Sequence, residues 1–204
     1  MVCTVPVRCP WPGAGNSRRA GGQVWVVEST PVVTVEGFTS VYDQHAPSLF
    51  RYCARRVGPQ VAEDVVAQTF LVAYEQRHRF DADRAGILPW LYGIATNLLR
   101  RHRRDEVRAY RALARTGIDP FTDDGPAQRA ADRVDAARES VAVAAVLAGL
   151  PARQREVLLL HAIAELEYAE IAAALRIPLG TVRSALHRAR TKLRAALTIM
   201  RENR

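Results

Sequence analysis

The chain has 204 residues with 29 Lys plus Arg against 21 Asp plus Glu, a formal net charge of +8, and a pI of about 10.1, so its partner is expected to be an anion. Cys3, Cys9 and Cys53 have no metal-ligand spacing, which argues against a zinc site or a disulfide framework. No apolar run approaches the ~18 residues of a membrane span, and the N-terminus lacks a signal-peptide core, so a cytoplasmic protein without membrane insertion is expected.

Residues 1–37 hold Pro6, Pro10, Pro12, Pro31 and Gly13, Gly15, Gly21 and Gly22, the composition of a disordered leader; a translation start further downstream is the alternative. From Phe38 the pattern changes. Val41, Tyr42, His45, Leu49, Phe50, Cys53, Ala54 and Val57 recur at helical steps, predicting a helix over 38–57 that Pro47 should kink. Gly58-Pro59 ends it. A second helix, 61–79, buries Ala62, Val65, Val66, Thr69, Phe70, Ala73 and Tyr74, and its other face carries Glu63, Asp64, Gln68 and Glu75, an acidic island in a basic chain.

After a loop, Pro89 opens a third helix striped by Trp90, Leu91, Ile94, Ala95, Leu98 and Leu99. It is expected to run without a break into the block of Arg100, Arg101, Arg103, Arg104, Arg108 and Arg111. Arginine richness alone says little, since Lys192 is the only lysine in the chain; the clustering says more. These helices predict one domain over 38–114. Residues 115–131, with their Gly, Pro and Asp, read as a flexible linker. A second domain follows over 132–200: an Ala-rich helix, a break at Gly149-Leu150-Pro151, another helix, and then two helices joined by Arg176-Ile177-Pro178. The fold class is all-α, two small helical domains.

That last pair predicts a helix-turn-helix. Ile171, Ala172 and Leu175 stripe its first helix; Val182, Leu186, Ala189 and Leu193 stripe the second. At ~100° per residue, Arg183, His187, Arg190 and Arg194 leave the other side of the second helix, widened by Ser184 and Arg188. Forked guanidiniums and short donors near a helix start suit a DNA major groove, where Arg reads guanine and other donors hold phosphates. A solvated basic face on a core helix is the blander alternative.

Three stretches together resemble a known family. AEDVVAQTFLVAY (62–74), PWLYGIATNLLRRHRR (89–104) and LPARQREVLLL with YAEIAAALRIPLGTVRSALHRAR (150–190) are similar to regions 2.2, 2.3–2.4 and 4 of the extracytoplasmic-function sigma factors, in the same order. A helix-turn-helix alone is shared by many regulators, whereas the ordered set is specific. The resemblance implies binding to core RNA polymerase, recognition of −35 and −10 promoter DNA with melting, and control by an anti-sigma factor. It implies no cofactor, metal or catalytic residue.

By resemblance, Asp64, Gln68, Phe70 and Leu71 would meet the polymerase, an acidic patch suiting a basic partner. Trp90, Asn97, Arg100, Arg101 and Arg104 would meet the −10 element, where unstacked bases and phosphates become available; for Trp90, core packing is the stronger reading. Arg183, Ser184, His187 and Arg188 would read the −35 element, Arg190 and Lys192 would hold its backbone, and the amides of Gly180 and Thr181 would greet a phosphate.

Departures from the family pattern carry expectations of their own. Ala67-Gln68 removes one carboxylate from the polymerase face. Glu165-Leu166-Glu167 replaces the family's Gly-Leu-Ser and should cap its helix less well. Ala185 stands where the family commonly has Arg, implying one phosphate contact fewer. The alternatives are a stand-alone helix-turn-helix regulator and an enzyme. The five histidines (His45, His78, His102, His161, His187) are scattered and no Gly-rich phosphate loop is present, which disfavours the enzyme.

Overall fold

A computed structural model describes residues 35–81, 85–117 and 130–202; among them the regular structure is entirely helical. The expected leader therefore falls almost wholly outside the described residues, as does most of the expected linker. The helices are α1 (Val35–Val57), α2 (Pro59–Glu75), α3 (Ile87–Leu99), α4 (Arg103–Thr116), α5 (Ala130–Gly149), α6 (Ala152–Ala162), α7 (Tyr168–Leu175) and α8 (Leu179–Glu202).

Helix α1 continues through Pro47. The adjacent Ser48 hydroxyl donates to the His45 carbonyl at 2.8 Å, a local hydrogen bond next to the amide that proline lacks. Gly58, at φ 85°, turns the chain into α2, with Pro59 at the first helical position. Phe38 meets Phe70 and Tyr74 edge-on, at 6.1 and 5.2 Å between ring centres, and pins α1 to α2.

The third helix does not run unbroken into the arginine block. Arg100–His102 form a 3-10 turn, and α4 starts afresh at Arg103. Leu99, Arg100 and Arg103 keep right-handed helical angles and His102 departs only to φ −91°, ψ 4°, so the break is a tightening rather than a reversal. Asp105 and Glu106 lie in the first turn of α4, where the helix dipole favours acids, and Gly117 at φ 70° ends it. The second helix likewise stops at Glu75; Arg77–Arg79 form a separate 3-10 turn.

Helix α3 is apolar nearly all round: Trp90, Leu91, Tyr92, Ile94, Ala95, Leu98 and Leu99 are all buried, as befits a helix covered on more than one side. It packs on α1 and α2 and also on α7. Helix α4 packs on α5, while α8 lies across α5, α6 and α7. The two helical domains thus share a seam, and buried apolar residues form one cluster running from Phe38 to Ala189.

Candidate nucleic-acid interface

Helix α7 is well started despite the missing serine. The Glu170 carboxylate accepts the Glu167 backbone N–H at 2.8 Å, one half of a capping box. Glu165 sits at φ 56°, a conformation natural to glycine. At the other end Arg176 is left-handed at φ 55°, and the Ile177 N–H reaches back to the Ala172 carbonyl at 3.1 Å. That six-to-one bond turns the chain sharply. The Pro178 carbonyl then accepts the amides of Thr181 at 2.8 Å and Val182 at 3.2 Å, opening α8. The Thr181 amide is consequently spent inside the helix, so the expected phosphate contact from that amide is not available.

Val182, Ala185, Leu186 and Ala189 form the buried stripe of α8. Ala185 is only 2% exposed, so this position faces the core and no phosphate contact is lost there. On the outer side Arg183, His187, Arg188, Lys192 and Arg194 are exposed, with Thr181 and Ser184 half-buried beside them. The Ser184 hydroxyl donates to the Thr181 carbonyl (3.1 Å), and Arg188 Nη2 donates to Ser184 Oγ (3.3 Å). Arg190 is different. It is half-buried and its Nη1 donates to the Tyr168 hydroxyl at 3.2 Å, tying α8 to α7. Tyr168 in turn packs edge-on against His161, whose Nδ1 is 3.1 Å from the Leu166 carbonyl.

The second basic surface is less open. Trp90 is 3% exposed and its ring lies 5.1 Å from that of Phe80, tilted by 40°, so it is a core residue and not a base contact in this conformation. Asn97 and Arg100 are brought together, Arg100 Nη1 donating to Asn97 Oδ1 at 2.9 Å. The rest of the Arg100 fork is occupied by Glu156 of α6. Arg101 and Arg104 are exposed on and after the 3-10 turn.

On α2, Asp64, Gln68 and Leu71 are exposed at i, i+4 and i+7, one face of the helix. Phe70, expected there too, is 5% exposed and belongs to the core. Its ring lies 4.7 Å from that of Tyr42, which is itself 46% exposed and flanks the same region from α1. Tyr42 was read as part of the α1 apolar stripe; its period is helical, but the stripe is wider than the buried face.

What the sequence did not reveal is a buried ionic cluster behind these surfaces. Arg56 of α1 grips Glu106 of α4 through Nε at 2.7 Å and Nη2 at 3.2 Å, and gives Nη1 to the Tyr52 hydroxyl at 2.7 Å. The Tyr52 hydroxyl also lies 3.1 Å from Thr96 Oγ1. Burial works against the Arg56 charge, but Tyr52 and Glu106 outweigh it and hold the guanidinium above its ordinary pKa. Burial also raises the Tyr52 and Tyr110 phenols and pushes the Cys53 thiol up to about 12. Among the described residues there is no His, Cys, Asp or Glu cluster able to hold a metal, and no helix long and apolar enough to cross a membrane.

Known proteins match this arrangement. Residues 41–109 match the family Sigma-70 region 2, and residues 140–193 match Sigma-70, region 4. The chain is 31% identical over 170 residues to the ECF RNA polymerase sigma factor SigW of Bacillus subtilis, spanning 79% of this chain and 89% of that protein. It is 34% identical over 160 residues to the ECF RNA polymerase sigma factor SigL of Mycobacterium tuberculosis, spanning 78% and 87%. Among solved structures, CnrH in complex with the cytosolic domain of CnrY aligns with a TM-score of 0.57 at 28% identity, over 81% of this chain and 90% of that one. The sigma factor RpoE, crystallised with the anti-sigma factor NepR from Bartonella quintana, aligns with a TM-score of 0.56 over 81% and 99%; at 24% identity it speaks for the fold alone.

Proposed function

The chain belongs to the extracytoplasmic-function sigma factors of the sigma-70 class, and from that membership we propose how its surfaces divide the work. The protein is an RNA polymerase sigma factor: it directs core polymerase to promoters, recognises them and opens the DNA for initiation. Its partners are core RNA polymerase, promoter DNA and an anti-sigma factor. Nucleotide addition belongs to the polymerase, so the chain needs no catalytic group or cofactor of its own. Its working place is the cytoplasm, where the polymerase is.

In this reading α8 enters the major groove of the −35 element. Arg183, Ser184, His187 and Arg188 face the base edges, and Lys192 approaches the phosphates. Arg190 acts mainly by fixing α8 on α7 through Tyr168. Asn97, Arg100, Arg101 and Arg104 serve the −10 element. The exposed row Asp64, Gln68 and Leu71 meets the polymerase; it joins two polar groups to one apolar side chain, a mixture suited to a protein partner. Residues 38–114 form the region 2 domain and 132–200 the region 4 domain, with 115–131 connecting them.

The single observation that carries the reading is the ordered pair of matched regions, with the exposed basic face of α8 in the second. A stand-alone regulator would leave residues 41–109 without a role. Gel filtration of the purified protein with bacterial core RNA polymerase tests this: co-elution is expected. Failure to bind core, together with tight binding to duplex DNA alone, would favour the regulator instead.

A further inference from the structure

Helix α4 carries more positive charge than the contacts assigned to it above explain. Arg104, Arg108, Arg111 and Arg115 follow one another at +4, +3 and +4, a single row about 16 Å long down one face. All four are exposed, while Glu106 and Tyr110 on the opposite face are buried. Like charges one turn apart repel, and a merely solvated face would interleave acids to offset this. Only Asp105 does so here, its Oδ1 accepting from Arg108 Nη1 at 2.9 Å. Among the described residues Arg104, Arg111 and Arg115 have no ion pair or side-chain hydrogen bond, and Arg108 keeps Nε and Nη2 unengaged.

A cavity of about 440 Å³ opens beside this row, where the turn between α1 and α2 meets α4. Its apolar walls are Val57 and Val61 on one side and Ala109 and Ala112 on the other; Asp105, Arg108 and the half-buried His102 supply its polar lining. The volume lies in the ~300–1,000 Å³ range of small-molecule sites, and apolar walls with a few converging polar groups are their ordinary make-up. Two alanines on the α4 side leave the space open. The lining comes wholly from residues 57–112, so the site is independent of where the second domain sits.

A ligand for this place joins a flat apolar body, to lie against the alanines, to an anion, to meet the row. A nucleotide has that form. The Asp105–Arg108 pair narrows the base, because it offers a carboxylate acceptor and free guanidinium donors side by side. Guanine presents two N–H donors, N1 and N2, next to the O6 acceptor, and so makes one bond more there than a base with a single donor beside its acceptor. Asp105 repels a bare phosphate, which separates this site from a plain anion patch.

We propose that the cavity is a guanine-nucleotide site: the base edge is held by Asp105 and Arg108, and the phosphate by Arg104 or Arg111. The same chemical unit occurs in a free nucleoside phosphate and in a guanosine unstacked from a melted DNA strand, whose further phosphates would continue along the row. Only the second source rests on the sigma-factor reading.

The test is a titration of the full chain, carrying ¹³C-labelled alanine and valine methyls, with guanosine monophosphate. The Ala109 and Ala112 methyls should shift saturably, and inorganic phosphate should leave them in place. Asp105→Asn should weaken guanosine monophosphate at least about fivefold, the loss of a good base contact, while strengthening inorganic phosphate. A role in phosphate repulsion alone would strengthen both. Ala112→Leu, which fills the cavity with a good helix former, should abolish the shifts; if circular dichroism shows it unfolded, Arg108→Gln replaces it with the same direction expected. The strand d(TTTGTTT) is compared with the same strand lacking its central base. Tighter binding than the mononucleotide, lost with that base, assigns the site to melted DNA; weaker or equal binding assigns it to the free nucleotide. Methyls unmoved by either ligand, shifts reproduced by inorganic phosphate, equal affinity for adenosine monophosphate, or unchanged affinity in Asp105→Asn overturns the proposal. Co-elution with core polymerase is scored separately: a chain that binds guanosine monophosphate here but never binds core overturns the sigma-factor reading and leaves the site standing.

Discussion

The two basic surfaces of this molecule are built in opposite ways. On α8, the apolar stripe of Val182, Ala185, Leu186 and Ala189 locks the helix down, and Arg183, His187 and Arg188 stand clear of it. Among the described residues none of them is in a salt bridge with an acid; Arg188 links to Ser184 and, through it, to the helix backbone. Around the α3–α4 junction part of the positive charge is answered from inside the protein, Arg100 by Glu156 and Arg56 of α1 by Glu106, while Arg101 and Arg104 stay exposed. In the proposed reading, the helix that reads duplex DNA keeps its basic side chains free of acidic partners, while the Arg100 fork assigned to the −10 element is already engaged by Glu156.

The largest effect that would break this contrast comes from the buried cluster. Glu106→Ala leaves Arg56 and Arg155 buried without their anion and is expected to cost about 3–5 kcal/mol, read from urea unfolding. A loss under about 1 kcal/mol would mean that the cluster is hydrated and that the two surfaces differ less than described.

The core beside that cluster also makes stability depend on alkaline pH. The Cys53 thiol, pushed up to about 12 by burial, stays protonated in the folded chain while the unfolded chain releases its proton from about pH 9 upward. The folded state then binds more protons, so stability falls as pH rises through this window, by about 1.4 kcal/mol per pH unit for this one group. Below about pH 8 the group contributes no slope. Comparing urea midpoints at successive pH values, Cys53→Ala should have a shallower decline than the parent. Equal slopes would place Cys53 in contact with water.

On the open surface the expected effect is in selectivity. Arg183→Ala should relax preference among −35 sequence variants by about 1–3 kcal/mol, with helical content unchanged. Undiminished selectivity would remove Arg183 from base reading and leave it a phosphate contact at most. The smallest effect lies at the entry to α7. Glu165→Gly relieves a left-handed residue and should raise stability by up to about 1 kcal/mol, seen as a higher thermal midpoint. A lower midpoint would show that the Glu165 side chain contributes something that the backbone argument omits.

Local features of the fold were legible because helical periodicity is local. The stripes of α2, α3 and α8 and the Arg176–Pro178 bend could be read from spacing alone. The break at Arg100–His102 could not, since a 3-10 tightening keeps right-handed angles and changes no composition. Phe70 and Trp90 sit in apolar stripes and both are buried: this agrees with the core reading that the stripe favoured for Trp90, while Phe70 was expected at the polymerase face on resemblance alone. The seam was illegible for another reason. Arg56 and Glu106 lie 50 positions apart, Arg100 and Glu156 lie 56 apart, and each charge in isolation reads as solvated. One hint was present, because Arg56 falls three residues after Cys53 and beside Val57, both in the apolar stripe of α1.

Run-off transcription with core RNA polymerase, from the promoter upstream of the chain's own gene, tests the central claim most directly. The account predicts specific initiation that is lost when either the −35 or the −10 element is scrambled. Core polymerase that initiates no better with the protein than without it, while the protein binds the intact duplex tightly by itself, would contradict it.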